Sequence, residues 1–268
     1  MDAAMKRLFV FGPGYSAGRI ARLWEARGGE VIATGRDGML SFDDAGNVAA
    51  ALADADVVLS SVPPDGTGKD PVLERYGGLL GGSTLAYLSS TGVYGDTGGA
   101  WVDESAPVVG AGGRGRRTAR ADADGRWLML GARVFRLPGI YGPGRSALDR
   151  VRSGAARRID LAGQVFSRVH VDDIATGVVA GLAAPPGAYN LADDRPCSQN
   201  AVIEEACRLL GVAAPPMQGL DEAGLSPMAR AFYAENRRVA NGRAKRVLGW
   251  QPRYPDWKTG LRQCLDAG

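Results

Sequence analysis

The sequence predicts an α/β protein: a parallel sheet covered by helices on both faces, with a smaller C-terminal lobe carried on the same sheet. Three observations predict it. Short apolar runs of strand length alternate with stretches whose apolar residues recur at helical spacing. A glycine loop sits at the first junction between the two patterns. After Gly144 the alternation loosens, yet no long Gly/Ser or charged linker separates a second independent domain.

The elements follow in order. Residues 7–11, R-L-F-V-F, read as a strand buried on both faces, because four consecutive apolar residues suit a parallel sheet. Residues 17–27 carry helical periodicity, and 30–34, E-V-I-A-T, form the next strand, which completes an opening βαβ unit. Further strands are predicted at 57–61, 84–89 and 133–137, with helix-like segments 44–53, 70–80 and 118–130 between them. Beyond Gly144, residues 146–157 read as a short basic helix and 169–171 as a strand end. Residues 173–183 read as a helix begun by Asp172 or Asp173, and 199–210 as an amphipathic helix. Pro-rich breaks at 185–187 and 214–216 punctuate this half. The expected division is a core over 1–145 and a lobe over 146–268, with segments near 168–192 returning to the core.

Composition narrows the function classes. With 268 residues, 45% hydrophobic and 23% charged, the chain is large enough to bury a substantial core. No apolar run approaches the length of about 18 residues that spans a bilayer, so no membrane partner is expected. Lys6 and Arg7 lead directly into the first strand, which leaves no room for a secretory signal before the glycine loop. Cys197, Cys207 and Cys264 are widely separated and lack metal-ligand spacing, so neither a disulfide framework nor a metal site is expected, and the reducing cytoplasm is the expected compartment. The net charge of +3 and pI near 8.8 fall short of a nucleic-acid binder. Lysine occurs only at 6, 69, 245 and 258, so nearly all positive charge is arginine, densest from Arg114 through Arg126.

Gly12-Pro13-Gly14-Tyr15-Ser16-Ala17 has the form G-x-G-x-x-A between a predicted strand and a predicted helix. Gly12 permits the tight turn, Gly14 lets the backbone approach a pyrophosphate, and Ala17 lets helix and strand pack closely. The anion then lies on the N–H groups of Tyr15, Ser16 and Ala17 at the helix start. An NAD site usually places a carboxylate at the end of the second strand, where this chain has Thr34-Gly35-Arg36. Arg36 is suited to a 2'-phosphate, which favours NADP(H) over NAD(H). The alternative is a solvated Arg36 with Asp37 on the ribose.

The chain resembles the short-chain dehydrogenase/reductase superfamily, in its extended and atypical branch of NAD(P)-dependent epimerases, dehydratases and reductases. The resemblance runs nearly end to end. It rests on the glycine loop, on Tyr87 to Gly95 (Y-L-S-S-T-G-V-Y-G), on Asp103-Glu104 followed by Pro107, on Arg136 to Gly144 (R-L-P-G-I-Y-G-P-G), on His170-Val171-Asp172-Asp173, on Tyr189-Asn190 and on Leu248-Gly249-Trp250. It implies a Rossmann sheet with the active site in the cleft beneath a C-terminal substrate lobe. Ser90 takes the place of the family's hydroxyl on the reacting oxygen, with Thr91 as its neighbour. The nicotinamide would lie beside Ser90, Thr91 and the loop from Pro138 to Ile140, bordered by Ser61, Val62 and Pro63.

One family feature is missing. The resemblance calls for a Tyr-x-x-x-Lys pair, but no tyrosine occurs between Tyr94 and Tyr141 and no lysine between Lys69 and Lys245. Aligning Asp122 with the helix's usual acidic residue puts Arg114 at the tyrosine and Thr118 at the lysine. Arg114 or Arg117 can polarise a carbonyl or anchor an anion but cannot act as a base. Tyr94, Tyr141 and Asp103 are the titratable alternatives, with core packing the plainer role for both tyrosines. His170, the only histidine, reads as architectural. Members that bind nucleotide-sugars carry an arginine shortly before this histidine; Phe166 occupies that place, with Arg168 two residues on, and Arg145 offers another contact for an anion.

The leading expectation is an NADP(H)-dependent oxidoreductase or epimerase-like enzyme acting on a small carbonyl or hydroxyl substrate of anionic character. A homodimer is admitted. The alternatives are a non-catalytic NADP(H) sensor and a sugar epimerase or dehydratase that uses bound NAD transiently.

Overall fold

The computed structural model describes residues 6–35, 38–109 and 116–268, and for residues 116, 117, 228 and 229 the backbone alone. Six strands, β1 (Arg7–Phe11), β2 (Glu30–Thr34), β3 (Val57–Ser60), β4 (Thr84–Ser90), β5 (Arg133–Leu137) and β6 (Gly187–Asn190), build one sheet in the order β6-β5-β4-β3-β1-β2. All neighbouring pairs are parallel. The chain winds outward from β1 to β2, then crosses back to β3 on the other side of β1. The order therefore reverses between β1 and β3, and a crevice opens at their C-terminal ends. This is a Rossmann-type sheet.

Alternation along the strands supplies two cores. Leu8, Val10 and Leu59 face α1 (Tyr15–Glu25) and α6 (Val171–Gly181), joined by Ile20, Trp24, Ile174 and Val178. Phe9, Phe11 and Val58 face the opposite layer of α2 (Ala45–Ala53), α3 (Pro71–Tyr76) and α4 (Arg116–Met129), joined by Val48, Tyr76 and Trp127. A third cluster lies away from the sheet. In it α5 (Ala147–Arg152), α7 (Gln199–Leu210) and α10 (Trp257–Asp266) pack through Leu148, Ile203, Trp257 and Leu261. The short helices α8 (Pro227–Tyr233) and α9 (Gly242–Leu248) complete this half. A parallel pairing of Gly139–Tyr141 with Arg168–His170 fastens the lobe beside the end of β5.

The expected strands are present, and most differences lie at ends. The helix expected over 146–157 stops at Arg152. α6 begins at Val171, and its cap is His170, whose Nδ1 accepts from the Asp172 N–H at 3.2 Å, in place of the expected aspartate. Asp173 instead accepts the Arg253 and Tyr254 N–H groups at 2.6 and 3.0 Å, tying the C-terminal segment to α6. The edge strand β6 was not expected, because G-A-Y-N has neither β-branched residues nor alternation to announce it.

Candidate functional site

A continuous cleft runs along the C-terminal edge of the sheet. Its smaller arm, about 550 Å³, lies against the glycine loop; the larger, about 1160 Å³, extends beneath the C-terminal lobe. Ser90, Arg120, Ile140, Arg145 and Phe232 line both arms and mark where they join.

The smaller arm begins at the N-terminus of α1. Gly12 has φ of +74°, and a Cβ there would stand 3.0 Å from Val62 Cγ2. Its N–H donates to the Thr34 carbonyl at 3.0 Å, and its own carbonyl accepts from the Ser61 hydroxyl. The turn is thereby pinned to β2 and β3. Gly14 caps α1 without a side-chain hydrogen bond, no acid lies in the first turn, and a Cβ on Gly14 would meet no atom within 4 Å. An open helix terminus with free N–H groups, facing a cleft lined by Gly14, Tyr15, Ser16 and Ala17, fits the pyrophosphate of a dinucleotide. Ser61, Pro63 and Pro138 line the same arm, whereas Val62 sits behind the turn. Tyr15 donates to the Pro143 carbonyl at 3.0 Å under the Arg145 guanidinium, and burial pushes its phenol up to about 12. Arg36 and Asp37 lie outside the described residues.

β4 delivers Ser90 to the junction. Ser90 caps the turn Thr91–Tyr94 by accepting the Gly92 N–H at 3.1 Å, and Thr91 lines the smaller arm beside it. Ser89 points the other way, donating to Asp124 Oδ2 at 2.6 Å. Asp124 also receives Arg136 through two hydrogen bonds, at 2.7 and 3.0 Å, inside the protein. The buried acid of α4 is therefore Asp124, not Asp122. Counted from Asp124, the tyrosine and lysine places move by two residues to Arg116 and Arg120. Arg120 faces the junction of the two arms, so a guanidinium stands where the resemblance would place an ammonium.

The proposed acid–base candidates are placed less favourably. Tyr94 lies outside the lining of both arms: its hydroxyl donates to Asn190 Oδ1 at 2.8 Å and accepts from Arg136 at 3.0 Å, an arrangement that suits the packing role. Tyr141 borders the larger arm, but its hydroxyl is buried without a hydrogen-bond partner among the described residues, and burial drives its pKa far above the usual phenol value. Asp103 is exposed and engaged with Ser105 at the loop after Val102. His170 is buried, hydrogen-bonded to Gln263 at 3.0 Å, and held below its ordinary pKa by that burial. Arg114 and the side chain of Arg117 lie outside the described residues.

The larger arm is rich in arginine: Arg145, Arg150, Arg157 and Arg168 all border it. Of the carboxylates there, Asp149 is engaged by Ser146 in the cap of α5, and Glu235 pairs with Arg237. Arg150, Arg120 and Phe232 were missed from sequence. Arg120 was detectable, since it lies one turn before the second acid of A-D-A-D; Phe232 was not, because nothing near it has a periodic signature.

No protein-family profile matches the chain. A conserved protein of unknown function from Silicibacter pomeroyi is 38% identical, with a TM-score of 0.85 over 98% of this chain and 99% of that one. The structure of human epimerase family protein SDR39U1 with NADPH is 18% identical, with a TM-score of 0.75 over 97% and 99% of the two chains, and shares the fold. The 3-diazoavenalumate denitrifying reductase of a Streptomyces species is 34% identical over 182 residues, 60% of this chain. That match covers 58% of the reductase's length.

Proposed function

We propose that the protein is an NADP(H)-dependent reductase of a small, anionic substrate, in the atypical branch of the extended short-chain dehydrogenase/reductase superfamily. The observation that carries this reading is the continuity of the cleft: the open helix terminus at Gly14, the hydroxyl of Ser90 and the guanidinium-lined arm open into one another. The similarity to a denitrifying reductase favours reduction over epimerisation. Arg36, two residues beyond the last residue of β2, is the side chain assigned to a 2'-phosphate.

When bound, the nicotinamide supplies a hydride. Gly12 to Ala17 hold the pyrophosphate, and Pro63 and Pro138 border the rings. Ser90 and Thr91 offer hydroxyl donors to a reacting oxygen, and Arg120 offsets negative charge that develops there. Arginine does not release a proton near neutrality, so these residues orient and stabilise the substrate without titrating. A carbonyl reduced here takes its proton from water through the Ser90 hydroxyl. An acceptor whose leaving group departs with its bonding pair as the new C–H bond forms needs no proton at all, and a site poor in proton donors suits it equally.

The test is a titration with NADPH and NADH, read by protein-to-nicotinamide fluorescence transfer, in wild type and Arg36→Ala. NADPH binding that weakens selectively in the variant supports the reading. Failure of both nucleotides to bind wild type overturns it; an unchanged NADPH preference in Arg36→Ala removes the 2'-phosphate assignment.

A further inference from the structure

Two features of the larger arm are not explained by nucleotide binding. The first is Arg168. Its side chain is almost fully buried, at 6% exposure, yet it makes no ion pair among the described residues. Its Nη1 donates to the carbonyls of Phe166 and Cys197 at 3.0 and 3.1 Å, and its Nη2 to Gln199 Oε1 at 3.0 Å. Neutral acceptors fix the guanidinium rigidly, and the buried carboxyl that feels its charge, Asp193, is pushed by burial toward its neutral form, so a ligand's anion can supply the counter-charge that a buried cation otherwise lacks. Arg150 borders the same arm with no hydrogen bond or ion pair from its guanidinium among the described residues.

The second feature is an aromatic shelf. Phe232 is 48% exposed although it lines both arms, and its ring lies parallel to Phe166 at 4.2 Å with 6° between planes. Tyr233 meets Phe166 edge-on at 5.6 Å. One face of Phe232 is thus covered by Phe166, and the ring borders both arms, as Ser90 does. A large exposed apolar ring inside a polar cleft marks a place where a ligand's flat face is covered.

We propose that the larger arm is a binding site for an aromatic carboxylate, its ring stacked on Phe232 beside Ser90 and its anion directed to Arg168 and Arg150. This rests on the reductase reading for the reacting end alone, which the ring's position places next to Ser90. A guanidinium fork donates two parallel hydrogen bonds to a carboxylate or to a phosphate, so a phosphate ligand belongs among the comparisons that test the carboxylate.

The test uses the full chain, with and without NADPH, and measures binding of cinnamate by calorimetry against three comparison ligands: cinnamyl alcohol, 3-cyclohexylpropanoate and phenyl phosphate. Cinnamate is expected to bind at least about tenfold more tightly than each of the three, which lack the charge, the flat ring or the planar anion. Arg150→Ala, at an exposed side chain that borders the larger arm and not the smaller, is expected to weaken cinnamate about tenfold and to leave NADPH affinity unchanged, and Phe232→Ala is expected to weaken cinnamate about tenfold. Equal binding of the alcohol or the saturated acid overturns the assignment, tighter phenyl phosphate overturns the carboxylate, and no cinnamate binding to a chain that binds NADPH overturns the site. A chain that binds cinnamate in this pattern but no nucleotide keeps the site and loses the reductase reading.

Discussion

The guanidinium of Arg136 on β5 grips both carboxylate oxygens of Asp124 on α4, at 2.7 Å from Nη2 and 3.0 Å from Nε, with both side chains buried. Ser89 donates to the same carboxylate at 2.6 Å, and Arg136 extends to the Tyr94 hydroxyl at 3.0 Å. The network clamps α4 against the C-terminal ends of β4 and β5. Arg120, one turn earlier on α4, is thereby held at the cleft beside Ser90. Asp124→Ala leaves a buried arginine without its counter-charge and is expected to cost about 3–5 kcal/mol of stability. Urea denaturation measures it; a loss below about 1 kcal/mol would show the pair to be weakly coupled to folding.

The glycine loop separates a structural glycine from a binding one. Gly12 has φ of +74° and no room, since a Cβ would stand 3.0 Å from Val62, so Gly12→Ala is expected to destabilise the fold by about 1–2 kcal/mol. Gly14 has φ of −74° and open space in front of it, so Gly14→Val should fold with little change in Tm. Its added side chain projects over the helix terminus and is expected to reduce NADPH affinity at least about tenfold, by displacing the pyrophosphate from the N–H groups. A Gly14→Val variant that binds NADPH as wild type does would remove the pyrophosphate from that terminus.

Ser90 and Arg120 differ in what they are asked to do. Ser90→Ala removes a hydroxyl at the junction of the two arms and is expected to lower kcat about a hundredfold with NADPH binding retained, on the scale of losing one donor to a developing charge. Arg120→Leu is expected to lower kcat as well, and the loss should be constant from pH 6 to 9, because a guanidinium does not titrate there. A loss that varied with pH would show that a titrating group acts through Arg120. Turnover of a reduced product from the NADPH-loaded protein is the readout for both.

Much of this architecture was legible because it is local. The run L-F-V-F, the loop G-P-G-Y-S-A and the segment Y-L-S-S-T-G specify a strand, a strand-to-helix turn and a strand end within a few residues each. The proposed catalytic edge was harder to read, because its frame depends on a contact 12 residues apart in the chain: A-D-A-D offers Asp122 and Asp124 equally, and only burial against Arg136 distinguishes them. The aromatic shelf was illegible. Phe166 and Phe232 come from an isolated bridge partner and a seven-residue helix, and their stacking arises from how the lobe folds over the cleft. The edge strand β6 was missed for a related reason: it is held by β5 and by the buried Tyr189 and Asn190 instead of by its own propensity.

Asp193 gives the protein a pH-dependent stability with a definite sign. It is 2% exposed, its Oδ1 accepts the Arg195 N–H at 3.3 Å, and its Oδ2 has no partner among the described residues. Burial pushes its pKa up to about 8, against the pull of Arg168. The unfolded chain ionises this group near about 4, so between roughly pH 4 and 8 the folded state holds a proton that the unfolded state has lost. Stability contributed by the neutral carboxyl therefore falls as pH rises through that window and levels off above it. Asp193→Asn keeps the shape of the neutral acid without the titration. The difference in Tm, variant minus wild type, is expected to grow steadily from pH 5 to pH 8.5, and because Asp173 and His170 titrate alike in both proteins their contributions cancel in it. A difference that stays flat or shrinks with rising pH would mean that Arg168 holds Asp193 ionised in the fold.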